Sequence, residues 1–224
     1  MNMMRIKRGL RWLLLIGALL AALGWWLPWV SARSGVAALV LLGLDFSDFW
    51  KFTNEWRDMG LFQVERLCFV LPPALVAMSL AVWSAGERAG LRYFLIPLLF
   101  FLSVVILPAY ENVENALKNT PFVYDDPDKA RQFAFQFYFA LSSLLVILLI
   151  PLWQRLSDTV RRLLIGTLAL AGAILPAWAL WRSWLVLQGF YHGSAQLGPG
   201  LFVTSFGFML VAISALYPLR IAQK

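Results

Sequence analysis

Glu111 and Glu114 stand three residues apart, a spacing that puts two carboxylates on one face wherever the chain is helical. Asp125, Asp126 and Asp128 close the same 111–131 stretch. Hard divalent cations take several carboxylate oxygens at once, so these acids could together hold one. Their spacing fits no fixed ligand pattern, however, and a solvated acidic loop ending in a helix cap accounts for the same residues. Asp45 and Asp48 read as turn and capping residues. His192, the single histidine, sits in a glycine-rich stretch without a serine or cysteine nucleophile motif, which makes it a solvated loop residue.

Other chemistries lack their usual groups. The chain has no phosphate-binding glycine-rich loop, no metalloprotease helix motif and no paired haem-ligand histidines. Its one cysteine, Cys68, excludes an internal disulfide and a cysteine zinc site. No cofactor is expected. An enzyme acting on lipids through the outer acids and His192 is the third choice of function.

The elements that must position these residues follow from composition. The 224 residues are 61% hydrophobic and 14% charged, with mean hydropathy +0.72. A soluble domain carries about 25% charged residues, so an integral membrane protein is expected. A net charge of +7 would suggest nucleic acid in a soluble chain. Here the bases are partitioned along the sequence, which a membrane explains, and no nucleic-acid partner is expected.

An ionised group at the bilayer centre costs at least about 2.5–3.5 kcal/mol, so charge-free intervals mark the spans. They predict an all-α bundle of six transmembrane helices in one domain over 1–224, at about 12–32, 67–86, 93–110, 132–154, 163–182 and 200–219. The stretch 183–199 is assigned to a turn-rich connection. The apolar piece 35–44 is too short to span and reads as re-entrant or interfacial. An amphipathic helix carrying Trp50 and Trp56 follows it, lying on the outer surface or packed over the bundle as a lid. Pro72 and Pro73 should kink the second span, leaving carbonyls for neighbouring groups to satisfy. Asp126-Pro127 begins a helix expected to run to Trp153, and Ala169, Ala173 and Ala177 form a small-residue stripe on the fifth span.

With the amino terminus inside, the inner segments hold eleven bases and two acids, and the outer segments eight bases and ten acids. Both termini are therefore expected in the cytoplasm of a bacterial-type inner membrane. A signal peptide ending near Val30-Ser31-Ala32 is the alternative, but the apolar run exceeds the usual 7–15 residues, so uncleaved insertion is the expectation. Trp25, Trp26, Trp29, Trp50, Trp56, Trp178 and Trp181 fall on the outer side and predict an aromatic rim at headgroup level, while Trp153 falls at an inner end.

Three stretches, LPWVS (27–31), SG…GLD (34–45) and GPGLFVTSFGFML (198–210), resemble patterns in uncharacterised bacterial polytopic proteins of the cytoplasmic membrane. That resemblance implies a location and no activity. The leading expectation is a non-enzymatic accessory or scaffold subunit. Its aromatic rim and acidic loop (Glu111, Glu114, Asp125, Asp126, Asp128) would engage a membrane-protein partner or a second copy, with lipid around the bundle. A transporter or channel for a neutral or lipophilic solute, using the proline-interrupted second and fifth spans, is the alternative.

Overall fold

The computed structural model describes residues 3–32, 40–46, 62–107 and 127–222. Helices dominate: α1 Met3–Trp25, α2 Phe62–Ser84, α3 Ala89–Val104, α4 Pro127–Leu148, α5 Ile150–Trp153, α6 Asp158–Phe190 and α7 Pro199–Ala222. Three short strands accompany them, β1 Pro28–Ala32, β2 Leu41–Leu42 and β3 Ala195–Leu197. Four helices, α1, α2, α6 and α7, contain runs long and apolar enough to cross a membrane; α3 and the 136–148 part of α4 are shorter apolar helices.

α2 forms the centre. In its apolar run 83% of residues are buried, against 33–50% in α1, α6 and α7. It packs against all of α1, α3, α4 and α6. A helix apolar on every side has no preferred face and settles where neighbours surround it. The outer helices keep apolar side chains outward: Trp12, Ile16, Leu19 and Leu23 make one stripe on α1, and Phe202, Phe206, Met209 and Ile213 another on α7. Spacings of three and four place each set on one helical face. Such faces suit lipid.

α1 and α7 run antiparallel at unusually close range. Their glycines set the distance. A Cβ on Gly17 would lie 2.7 Å from the Gly207 carbonyl oxygen, and one on Gly24 would lie 2.9 Å from that of Gly200. Gly207 in turn faces the Ala21 backbone. Lipid offers no hydrophobic drive for helix pairing, so close backbone packing of small residues supplies it instead. The antiparallel register puts the start of α1 and the end of α7 at the same end of the bundle. α6 joins the pair through Gly166 beneath Leu216 and Gly172 beneath the Phe208 ring. Ala169 and Ala173 of the expected stripe are buried there, whereas Ala177 is only partly covered.

Several boundaries differ from the sequence reading. The first span was expected over 12–32, but α1 ends at Trp25 and Pro28–Ala32 is a strand. Leu41–Leu42, within the segment read as re-entrant or interfacial, pairs with that strand; 33–39 and the surface helix with Trp50 and Trp56 lie outside the described residues. The helix starting at Pro127 stops at Leu148 and resumes at Ile150, with Leu149 at φ −83°, ψ 10°. Pro151 is the cause, since it carries no N–H and its ring crowds the preceding turn. α6 runs on to Phe190, through the stretch assigned to a connection; its 33 residues extend about 50 Å, roughly 20 Å more than an upright crossing of the hydrocarbon.

Gly207→Leu should disrupt the α1–α7 contact, because the new atoms meet backbone that cannot move aside. The expected loss is at least about 1–3 kcal/mol. Gly9→Ala, at a position with no neighbour within 4 Å, should be neutral or slightly stabilising. Thermal unfolding in mild detergent, read by intrinsic fluorescence, separates the two outcomes.

Candidate functional site

The described parts of the three stretches singled out for their resemblance meet in space. β1 takes the central place in a three-stranded antiparallel sheet, order β2-β1-β3. Val30 pairs with Leu41 on one side and with Leu197 on the other. A turn at Gly43–Asp45 follows β2, where Asp45 Oδ2 accepts from the Leu42 N–H at 3.0 Å and the Asp45 N–H donates to Leu42 at 3.1 Å. This is the turn role expected of Asp45; Asp48 lies outside the described residues. The sheet covers the end of the bundle where α1 finishes and α7 begins, and Pro199 opens α7 at a position that needs no N–H donor.

Trp29 is the plug of this cap. It is fully buried, and its indole N–H donates to the Gly24 carbonyl at 2.9 Å, one of the last carbonyls of α1. Three glycines let the chain close around it. A Cβ on Gly43 would sit 2.7 Å from the Trp29 ring, one on Gly200 would strike Trp29 Cδ1, and one on Gly198 would strike the Pro28 carbonyl. Beneath the indole, Phe46 stacks on Phe69 with ring centroids 4.7 Å apart, and both lie 6.1 Å from Trp29.

Trp25 performs a second repair. Pro73 has no N–H, so the Phe69 carbonyl of α2 loses its helical donor. Trp25 Nε1 donates to that oxygen at 2.8 Å. α2 thus continues through Pro72 and Pro73, with a neighbouring indole donating to the carbonyl that Pro73 cannot serve. A related contact lies at the other break, where Trp153 Nε1 donates at 2.8 Å to the carbonyl of Val146, one residue before the one whose helical donor Pro151 removes.

The expected aromatic rim therefore divides. Trp25 and Trp29 are buried and engaged by the fold, so they are not open to a partner. Trp26, Trp178 and Trp181 are exposed, Trp181 to 73%. Trp50 and Trp56 lie outside the described residues, as do Glu111, Glu114, Asp125 and Asp126. Asp128 falls in the first turn of α4. Among the described residues no group of three or more His, Cys, Asp or Glu could hold a metal ion.

His192 ends α6. Its N–H donates to Gly189 at 3.1 Å and the Gly193 N–H donates to Gln188 at 2.7 Å, the paired bonds of a Schellman turn. His192 takes φ 49°, the left-handed position that glycine fills at least cost. Burial pushes the neighbouring Tyr191 hydroxyl above its ordinary value of 10.0, so it stays protonated across the physiological range.

At the opposite end, polar groups surround the α2–α3 turn. Arg92 donates to Ser84 at 3.3 Å and Glu87 at 2.9 Å, capping the end of α2. Gln154 accepts from the same guanidinium and ties the α5–α6 link to this turn. Arg11 pairs with Glu87 at 3.0 Å, while Asp158 holds Arg162 at 2.6 Å and Arg161 at 3.4 Å. The buried polar side chains of the described interior are all uncharged: serines, Thr204 and Gln136. Ser103 and Ser143 share a hydrogen bond at 2.6 Å, and Gln136 donates to Ile106 at 2.8 Å.

Helices of spanning length, lipid-suited outer faces and an interior whose described buried polar groups are uncharged mark a helical integral membrane protein. No protein-family model, curated protein or solved structure matches the chain.

Trp25→Phe keeps the aromatic bulk but removes the indole donor to the Phe69 carbonyl, and should cost about 1–3 kcal/mol. Trp181→Phe should stay within about 0.5 kcal/mol. Equal melting temperatures for these two variants would contradict the role given to Trp25. His192→Gly relieves the left-handed strain and should raise stability by up to about 1 kcal/mol in the same assay.

Proposed function

We propose that this protein is a non-enzymatic accessory or scaffold subunit of a cytoplasmic membrane. In this reading it crosses six times, with α3 and α4 completing the bundle and the arginine-rich end on the cytoplasmic side. The observation that carries the proposal is the contrast between its two kinds of polar and aromatic group. Inside, most are spent on the fold: indoles, an amide and several serines meet helix carbonyls, and Ser103 meets Ser143, while the Ser79 and Thr204 hydroxyls are buried without a partner. Outside, at the end closed by the sheet, Trp26, Trp178 and Trp181 stay exposed on a rigid support. Tryptophan gives large contact area at low entropic cost, which suits it to anchoring a partner.

The backbone around Pro72 and Pro73 bears on the transporter alternative. Broken helices in transporters keep carbonyls free to line a cavity. Here Pro72 and Pro73 are buried and the Phe69 carbonyl is already engaged by Trp25. A packed support is the better account.

Trp181→Cys supplies the test, since the native Cys68 is buried and gives little background. A membrane-impermeant thiol reagent should label position 181 from outside intact cells. A bifunctional reagent at the same site should capture a defined second membrane chain. Replacing Trp26 and Trp178 by alanine in that background should weaken capture at least tenfold without changing the melting temperature. A monomer that captures nothing under mild extraction would remove the scaffold reading.

A further inference from the structure

The end of the bundle opposite the sheet carries more positive charge than the protein neutralises. Arg8, Arg11, Arg88, Arg92, Arg155, Arg161 and Arg162 gather there, against Glu87 and Asp158 as the acids among the described residues of that end. The adjoining terminal segments, 1–7 and 218–224, contain bases and no acid. Glu87 is committed to Arg11, and Arg92 is turned inward onto carbonyls at the end of α2 and in the turn that follows. Asp158 is divided between two arginines while remaining 64% exposed. Arg161 has only 16% of its side chain exposed and meets that carboxylate at 3.4 Å; its guanidinium lies over the turn, 3.3 Å from where a Gly86 Cβ would stand. A guanidinium withdrawn this far from water is under-compensated by one long, shared contact.

What adjoins the arginines says which anion fits. On α1, Arg11 is followed by Trp12, 61% exposed, and on α3, Arg92 is followed by Tyr93 and Phe94, at 71% and 77%. Leu152 precedes Arg155, and Leu163 follows Arg162, both exposed. On four elements, the chain passes from arginine to outward-facing apolar side chains within a turn. A phospholipid has the same profile, an anionic phosphate joined to an acyl chain. An acidic soluble partner would match the charge alone, whereas a lipid matches both the charge and the apolar faces that begin beside it.

We propose that Arg88, Arg155, Arg161 and Arg162, around the α2–α3 turn, bind the phosphate of an anionic phospholipid, whose chains lie along the adjoining apolar faces. Guanidinium groups are suited to phosphate because they donate paired N–H groups in one plane. This site rests on membrane embedding, which resistance to alkaline extraction checks separately, and does not depend on the scaffold role.

The test uses the full chain in a neutral detergent, with phosphatidylglycerol, phosphatidylcholine, inorganic phosphate or polyglutamate added. Phosphatidylglycerol should raise the melting temperature by several degrees, and phosphatidylcholine and inorganic phosphate should not. The shift should shrink at 0.5 M salt, where screening is strong. Arg88→Gln with Arg155→Gln, both at exposed positions, should remove at least half of it, and the paired lysine replacements should retain most of it. Equal shifts from the two lipids, or a phosphatidylglycerol shift untouched by the glutamines, would overturn the site. A shift from polyglutamate in place of lipid would assign the arginines to an acidic protein and overturn it as well.

Discussion

A peptide carbonyl without a donor is costly wherever water cannot reach it, by several kcal/mol in hydrocarbon. This fold is arranged around that cost. At four of the described places where a helix ends or is interrupted, a side chain serves a freed oxygen, and at the end of α6 backbone N–H groups do so. Trp29 serves the end of α1, Trp25 the gap left by Pro73, Arg92 the end of α2 and Gln136 the Ile106 carbonyl after α3. Tryptophan is well suited to the task because its indole donates one hydrogen bond and asks for none in return. A residue type that looks like an interface anchor can therefore be a piece of backbone repair.

The sheet belongs to the same economy of hydrogen bonds. Chain leaving α1 at Trp25 cannot run as open loop beside apolar helices without satisfying its own N–H and C=O groups. Pairing with β2 and β3 does this, and the close approach needed is allowed by glycines at 43, 198 and 200. Glycine also governs the α1–α7 pair, so absence of side chains sets the spacing both along the bundle and at its cap. The result is a rigid closed end from which only part of the tryptophan complement projects.

Charge follows the opposite logic. Ionised groups are kept out of the described interior and gathered at the end where α1 begins and α7 finishes, with the α2–α3 turn between them. Their internal pairings are few relative to their number. The arginines there define a surface, whereas the serines and Gln136 inside define packing.

Much of the architecture was legible in the residues alone. Charge-free runs located the four helices of spanning length, α2 and α7 to within five residues at each end and α1 and α6 with ends five to nine residues away, since the cost of burying an ionised group depends on composition and hardly on neighbours. The helix start at Pro127 and the turn at Asp45 were equally local. What the sequence could not assign was which tryptophans face outward. Trp25 and Trp26 are adjacent and chemically identical, yet one fills the gap left by a proline 48 positions away and the other stands exposed. The convergence of residues 27–31, 43–45 and 198–200 into one cap, and the pairing of glycines on the first and last helices, were likewise settled only by the tertiary structure. Both depend on contacts between segments far apart in the chain, and composition and periodicity carry information only about a segment's own surroundings.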